Sequence, residues 1–161
     1  AVPATTGREY VLEQQLRTLA TLPLSDADKA AKVALEHRVI DAALSGTGSD
    51  TLPPDLGHGA DQPIFKSWLL FDPLVTLRKV KQPVLILQGL ADADVPRAHA
   101  DRLASVARAR KRPVDATRVA LIAGVAHNLT PALGTSGPAL LSPDVSAALS
   151  GWLHDVFGQG K

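Results

Sequence analysis

The sequence predicts an α/β fold, parallel strands with flanking helices, preceded by a helical hairpin. Three observations predict it. Residues 83–88, PVLILQ, are an almost unbroken apolar run, as expected of a strand buried on both faces of a parallel sheet. Residues 116–124, ATRVALIAG, read as a second strand, and residues 96–111 between them read as a helix. Residues 8–44 carry helical stripes and no strand pattern.

In chain order, residues 8–22 place Leu12, Leu16 and Leu19 at offsets of four and three, the stripe of an amphipathic helix closed by Pro23. Ser25 and Asp28 resemble a capping box with Asp in place of Glu or Gln. A second helix follows, with Ala30, Val33, His37, Ile40 and Leu44 along one side. Residues 46–63 are rich in Gly, Pro, Asp and Ser and read as a long loop. Residues 64–73, IFKSWLLFDP, read as a short helix packing inward through Trp68 and Phe71 and stopping at Pro73. After the strand–helix–strand unit, a last helix starts at Ser142 with Pro143 behind it, its stripe being Val145, Leu149, Trp152, Leu153 and Val156. Two strands do not make an independently stable sheet, so the chain reads as part of a larger domain.

Bulk properties narrow the function. With 161 residues, 45% apolar and 20% charged, the composition is that of a globular protein with room for one core. A formal charge of +1 argues against a nucleic-acid binder. The single basic run, Arg108 to Arg112, falls where a helix is expected to end, where cations complement the helix dipole. No apolar run approaches the ~20 residues that cross a bilayer, so no membrane partner is expected. Without cysteine there is no disulfide, thiol nucleophile or thiolate metal site. His58 with Asp55 and Asp61 sits in a Gly-rich stretch, and no His-x-x-x-His pair occurs, so no metal is expected. His37, His99 and His154 lie on helices and read as surface or packing residues.

Chemistry concentrates beyond the carboxyl ends of the two strands, where open parallel sheets bind ligands. GLADADVP leaves the first strand and GVAHNLTPAL the second. One strand–helix–strand unit separates Asp92 from His127, so the two can meet at neighbouring strand tips. A carboxylate beside an imidazole holds it in one tautomer and stabilises the imidazolium, which serves a serine or cysteine nucleophile. Asp94 competes with Asp92 and reads as turn or helix-start chemistry.

These residues carry a family resemblance. PVLILQGLADADVPRAHADRLA, VALIAGVAHNLTP and the terminal helix resemble the C-terminal part of an α/β-hydrolase, closest to bacterial serine esterases and peptidase-like hydrolases with a helical cap. In that family a strand ending in Gly-x-x-Asp supplies the triad acid, and Gly-x-x-His after the last strand supplies the base. Gly89 to Asp92 and Gly124 to His127 match both. The resemblance implies the C-terminal half of an α/β-hydrolase fold. Residues 1–63 would be the helical cap hairpin and loop, and residues 64–161 the C-terminal portion of the core. It implies Asp92 as acid, His127 as base, an ester or acyl substrate, and no cofactor.

The departure is the nucleophile. Chain order in this fold is nucleophile, acid, base, with the serine on a G-x-S-x-G elbow. No such motif occurs here: Ser49 in GTGSD has Thr47 for the first Gly, and Ser136 in GTSGP has Pro138 for the last and follows the His. The chain also has no methionine. The expectation is therefore a C-terminal piece of a longer hydrolase, whose partner is its missing N-terminal half. The alternative is a non-catalytic module that associates, with itself or another chain, through an exposed sheet edge.

Overall fold

A computed structural model describes residues 2–110, 117–132 and 140–158. Its elements, in order, are α1 (Gly7–Thr21), α2 (Asp26–Ser45), a 3-10 turn (Ser49–Thr51), α3 (Pro54–Ala60), α4 (Pro63–Leu70), α5 (Pro73–Lys79), β1 (Val84–Gly89), α6 (Arg97–Arg108), β2 (Thr117–Ile122) and α7 (Pro143–Phe157). The chain divides into two compact units, Thr5–Asp72 and Ala1–Ala4 with Pro73–Lys161.

The expected half α/β-hydrolase fold is not what forms. Among the described residues the protein is mostly helical, and its sheet holds two parallel strands rather than several. Its two strands are residues 84–89 and 117–122. The stretch expected as a loop, residues 46–63, instead winds into the 3-10 turn and α3. Pro54 and Pro63 each occupy a first helical position, where a missing N–H costs nothing. Prolines read as loop formers act here as helix starters. Pro73, read as the stop of the preceding helix, begins α5, a helix the sequence pattern did not indicate.

In the first unit, Thr6 caps α1. Its hydroxyl accepts the Glu9 N–H, and the Glu9 carboxylate accepts the Thr6 N–H, a complete capping box. The Ser25 hydroxyl likewise accepts the Asp28 N–H at the start of α2. The core of this unit gathers Val39, Ile40, Ala42 and Ala43 of α2 with Leu52, Ala60 and Leu69. Tyr10 meets Trp68 edge-to-face at 6.5 Å, and Phe65 stacks on Trp68 at 6.2 Å. The expected stripes are only half buried. Leu16, Ala30 and His37 are not buried and, with Leu19 and Val33, line a groove of about 530 Å³. α2 is alanine-rich all round, so its stripe does not choose a single inward face.

In the second unit, β1 pairs in parallel with β2 from Val84 opposite Thr117 to Gly89 opposite Ile122. Alternation sorts the two faces. Val84, Ile86 and Val119 pack with Leu103, Ala104 and Ala107 of α6, while Leu87, Ala120 and Ile122 pack with Val145 and Ala148 of α7. Arg110, expected as a solvated charge in the basic run, is 8% exposed. It donates to the carbonyls of Ala107, Val80 and Gln82 and to the Thr117 hydroxyl, tying the end of α6 to the starts of both strands. Lys111 and Arg112 of that run, and Ser136, lie outside the described residues.

Candidate active site

The site lies at the carboxyl end of the two-stranded sheet. Gly89 ends β1, and a Cβ there would stand 2.2 Å from the Val125 carbonyl oxygen and 2.9 Å from that of Ala126. Only glycine lets the β1 tip pass this close to the loop after β2. The approach is sealed by Leu90 N–H to Ile122 O at 2.8 Å and Ala91 N–H to Val125 O at 3.0 Å. The Gly of the Gly-x-x-Asp pattern is thus a contact between the loops that carry Asp92 and His127.

Asp92 divides its carboxylate between two tasks. Oδ1 accepts the N–H groups of Asp94 at 2.9 Å and Val95 at 2.8 Å, closing the turn. Oδ2 lies 3.0 Å from Nδ1 of His127. The Asp92 side chain is 1% exposed and that of His127 48%. Burial opposes the charge on Asp92. The N–H of Val95, the hydrogen bond and charge of His127, and the N–H of Asp94 outweigh it and hold the carboxyl below its usual range. A carboxylate only accepts, so the proton of this contact sits on Nδ1 of His127.

The loop that carries His127 is built as tightly. Gly124 turns the chain out of β2 at φ 66°, in the left-handed region that glycine adopts without strain. The loop is closed by Ala126 N–H to Thr130 O, Ala132 N–H to Gly124 O and an antiparallel bridge between Val125 and Pro131. Asn128 Oδ1 accepts the Thr130 hydroxyl at 2.6 Å. Leu129 is held at φ 65°, an uncommon conformation for a non-glycine residue that the surrounding bonds impose.

Asp92 and His127 are therefore brought together as expected. Asp94 is exposed, contributes its N–H to the turn and precedes α6, which starts at Arg97. Ser49 lies in the 3-10 turn of the other unit. His99 is buried at 2% and accepts the Ala4 N–H through Nδ1, a packing role. Among the described residues, Asp92 is the hydrogen-bond partner of His127. Asp92, Asp94 and His127 also bring one ligand-type atom each within 4.8 Å. Asp92 already spends one oxygen on two backbone N–H groups and the other on the His127 proton, so the trio is an occupied hydrogen-bond network rather than a ready cation cage.

An apolar trough of about 490 Å³ reaches His127, lined also by Leu129, Pro3, Leu77 and residues 84–87 of β1. A strand face shows alternate residues only, so a cavity touching four in succession lies along the strand edge. One participant was missed by sequence reasoning. Gln88, 1% exposed, directs its side-chain amide at the Asp92 loop. The available signal was a lone amide inside an otherwise apolar strand. No helix among the described residues is long and apolar enough to cross a membrane. Comparison with protein families, curated proteins and solved structures finds no match to this chain.

Proposed function

We propose that Asp92 and His127 are the acid and base of a serine-hydrolase triad acting on ester-type acyl substrates, with the serine contributed by polypeptide outside these 161 residues. The observation that supports this reading is the 3.0 Å contact between Nδ1 of His127 and a buried carboxylate 35 positions away. With Nδ1 protonated, the ring's other nitrogen, Nε2, is the basic atom. It would take the proton of the serine hydroxyl as that oxygen attacks the acyl carbonyl, and Asp92 would stabilise the resulting imidazolium. The proton then passes to the leaving alcohol. A water deprotonated by His127 attacks the acyl-enzyme, releasing the acid and restoring the serine. The apolar trough beside His127 favours an uncharged acyl group.

The test is fluorophosphonate labelling and p-nitrophenyl ester hydrolysis. The chain alone should take no label. Joined to its upstream sequence it should label and turn over, and His127→Ala should lower kcat by about 10³-fold or more. Labelling of the chain by itself, or hydrolysis indifferent to His127→Ala, refutes the reading.

A second reading is favoured by the trough along β1. Among the described residues β1 pairs on one side only, and its open edge combines apolar side chains with backbone groups that another strand would pair. In that case the chain is a non-catalytic association module. Light scattering over a wide concentration range separates the two, since a persistent monomer excludes self-association.

A further inference from the structure

We propose that Gln88 is the positioning residue of the Asp92–His127 pair, its amide clamping the turn that presents Asp92 Oδ2 to the imidazole. The inference rests on the reading of that pair as acid and base. Gln88 is the penultimate residue of β1 and 1% exposed. Its Nε2 lies 2.8 Å from the Gly89 carbonyl, 3.2 Å from the Val95 carbonyl and 3.4 Å from Asp92 Oδ2. Gly89 and Val95 bracket the Asp92 turn, so one amide group spans the turn from inside. Asp92 Oδ2 is the same oxygen that faces His127 Nδ1.

The orientation of the amide follows from chemistry. Three acceptors surround one end of the side chain, and only the NH2 end can face them. The opposite consequence is visible: Gln88 Oε1 is buried without a hydrogen-bond partner. An unsatisfied buried carbonyl costs about 1–3 kcal/mol, so it is kept only where the other end of the amide is needed. A residue serving packing alone would be apolar at this point of the strand, as Val84 and Ile86 are on the same face. Asp92 is thereby held on both oxygens, Oδ1 by backbone N–H groups and Oδ2 by Gln88 and His127.

The 161-residue chain is tested directly by NMR, with Gln88→Met removing the donor at similar shape and Gln88→Glu replacing it by an isosteric acceptor. Two readouts are followed: the Nδ1-bound proton of His127 and the titration of the Asp92 carboxyl carbon. In Gln88→Met the Nδ1 proton should exchange with water at least tenfold faster than in the parent. In Gln88→Glu the new carboxyl and Asp92, about 3.4 Å apart, should titrate as a coupled pair with one midpoint raised by at least about 1 unit. A residue that only packs would change thermal stability and leave the exchange of the Nδ1 proton as in the parent, and that result overturns the proposal. If Gln88→Met fails to fold, Gln88→Leu takes its place, unchanged exchange of the Nδ1 proton being again the overturning outcome. Neither readout needs a nucleophile. Perturbed NMR signals in the chain, with no labelling or ester hydrolysis once it is joined to its upstream sequence, would refute the proposed function and leave the Gln88 clamp standing. Unperturbed signals in an active hydrolase would do the reverse.

Discussion

Gly89→Ala perturbs a close backbone-to-backbone approach between the Asp92-bearing and His127-bearing segments. The added Cβ would sit 2.2 Å from the Val125 carbonyl oxygen and 2.7 Å from its carbon, neither of which can swing aside like a side-chain tip. Restoring ordinary contact needs a separation of about 1 Å or more. That movement breaks the 3.0 Å bond from Ala91 N–H to Val125 O, a loss of about 1 kcal/mol. Relief of the overlap costs about 1–3 kcal/mol more. The expected destabilisation is therefore about 2–4 kcal/mol by urea unfolding, together with a displaced His127 imidazole resonance. Gly151→Ala supplies the control in the same unit, because a Cβ there meets nothing within 4 Å and lies inside α7. It should stabilise by about 0.5–1 kcal/mol. A Gly89→Ala protein within about 0.5 kcal/mol of the parent, with the His127 resonance unmoved, would refute the reasoning.

Three further outcomes are expected. Asp92→Asn can turn its amide NH2 toward His127, so nitrogen chemical shifts should report the proton moving from Nδ1 to Nε2. Because the folded carboxyl titrates below its unfolded value of about 4, its stabilising contribution is full above pH ~4 and lost as pH falls through the folded midpoint. Acid unfolding monitored by circular dichroism should accordingly be shallower in Asp92→Asn than in the parent. Arg110→Ala strips the donors from three carbonyls and a hydroxyl and should cost about 2–4 kcal/mol in urea unfolding. Arg110→Lys should recover only part, since one ammonium cannot span all four acceptors. Burial raises the Glu36 carboxyl, against the pull of His37, so its charged form is disfavoured in the fold and the penalty grows as pH rises past its unfolded value. Glu36→Gln should therefore leave thermal stability equal or raise it slightly above pH 6, by about 0.5 kcal/mol or less.

The local pattern of this chain determined a good deal. The apolar run at PVLILQ placed β1 to within one residue, Ser25 and Ser142 marked the starts of α2 and α7, and the spacing of Asp92 and His127 around one strand–helix–strand unit anticipated their meeting. These features rest on short-range physics: side-chain period, caps and the length of one crossover. Sheet size does not, and the expectation of a larger parallel sheet failed because motifs at two strand tips say nothing about how many strands stand beside them. Proline in residues 46–63 was ambiguous for a related reason, since the same ring can end one helix or start the next, according to the packing of the residues on either side. Tertiary structure alone decided the rest. It made Arg110 a buried clamp rather than a surface charge, and it required Gly89 to be glycine through a contact with a loop 36 residues away. It also gave Asp92 two duties, one oxygen for its own turn and one for His127, with Gln88 beneath both. Each of these depends on which distant backbone groups arrive at a point in space, and a pattern along the chain carries no record of that.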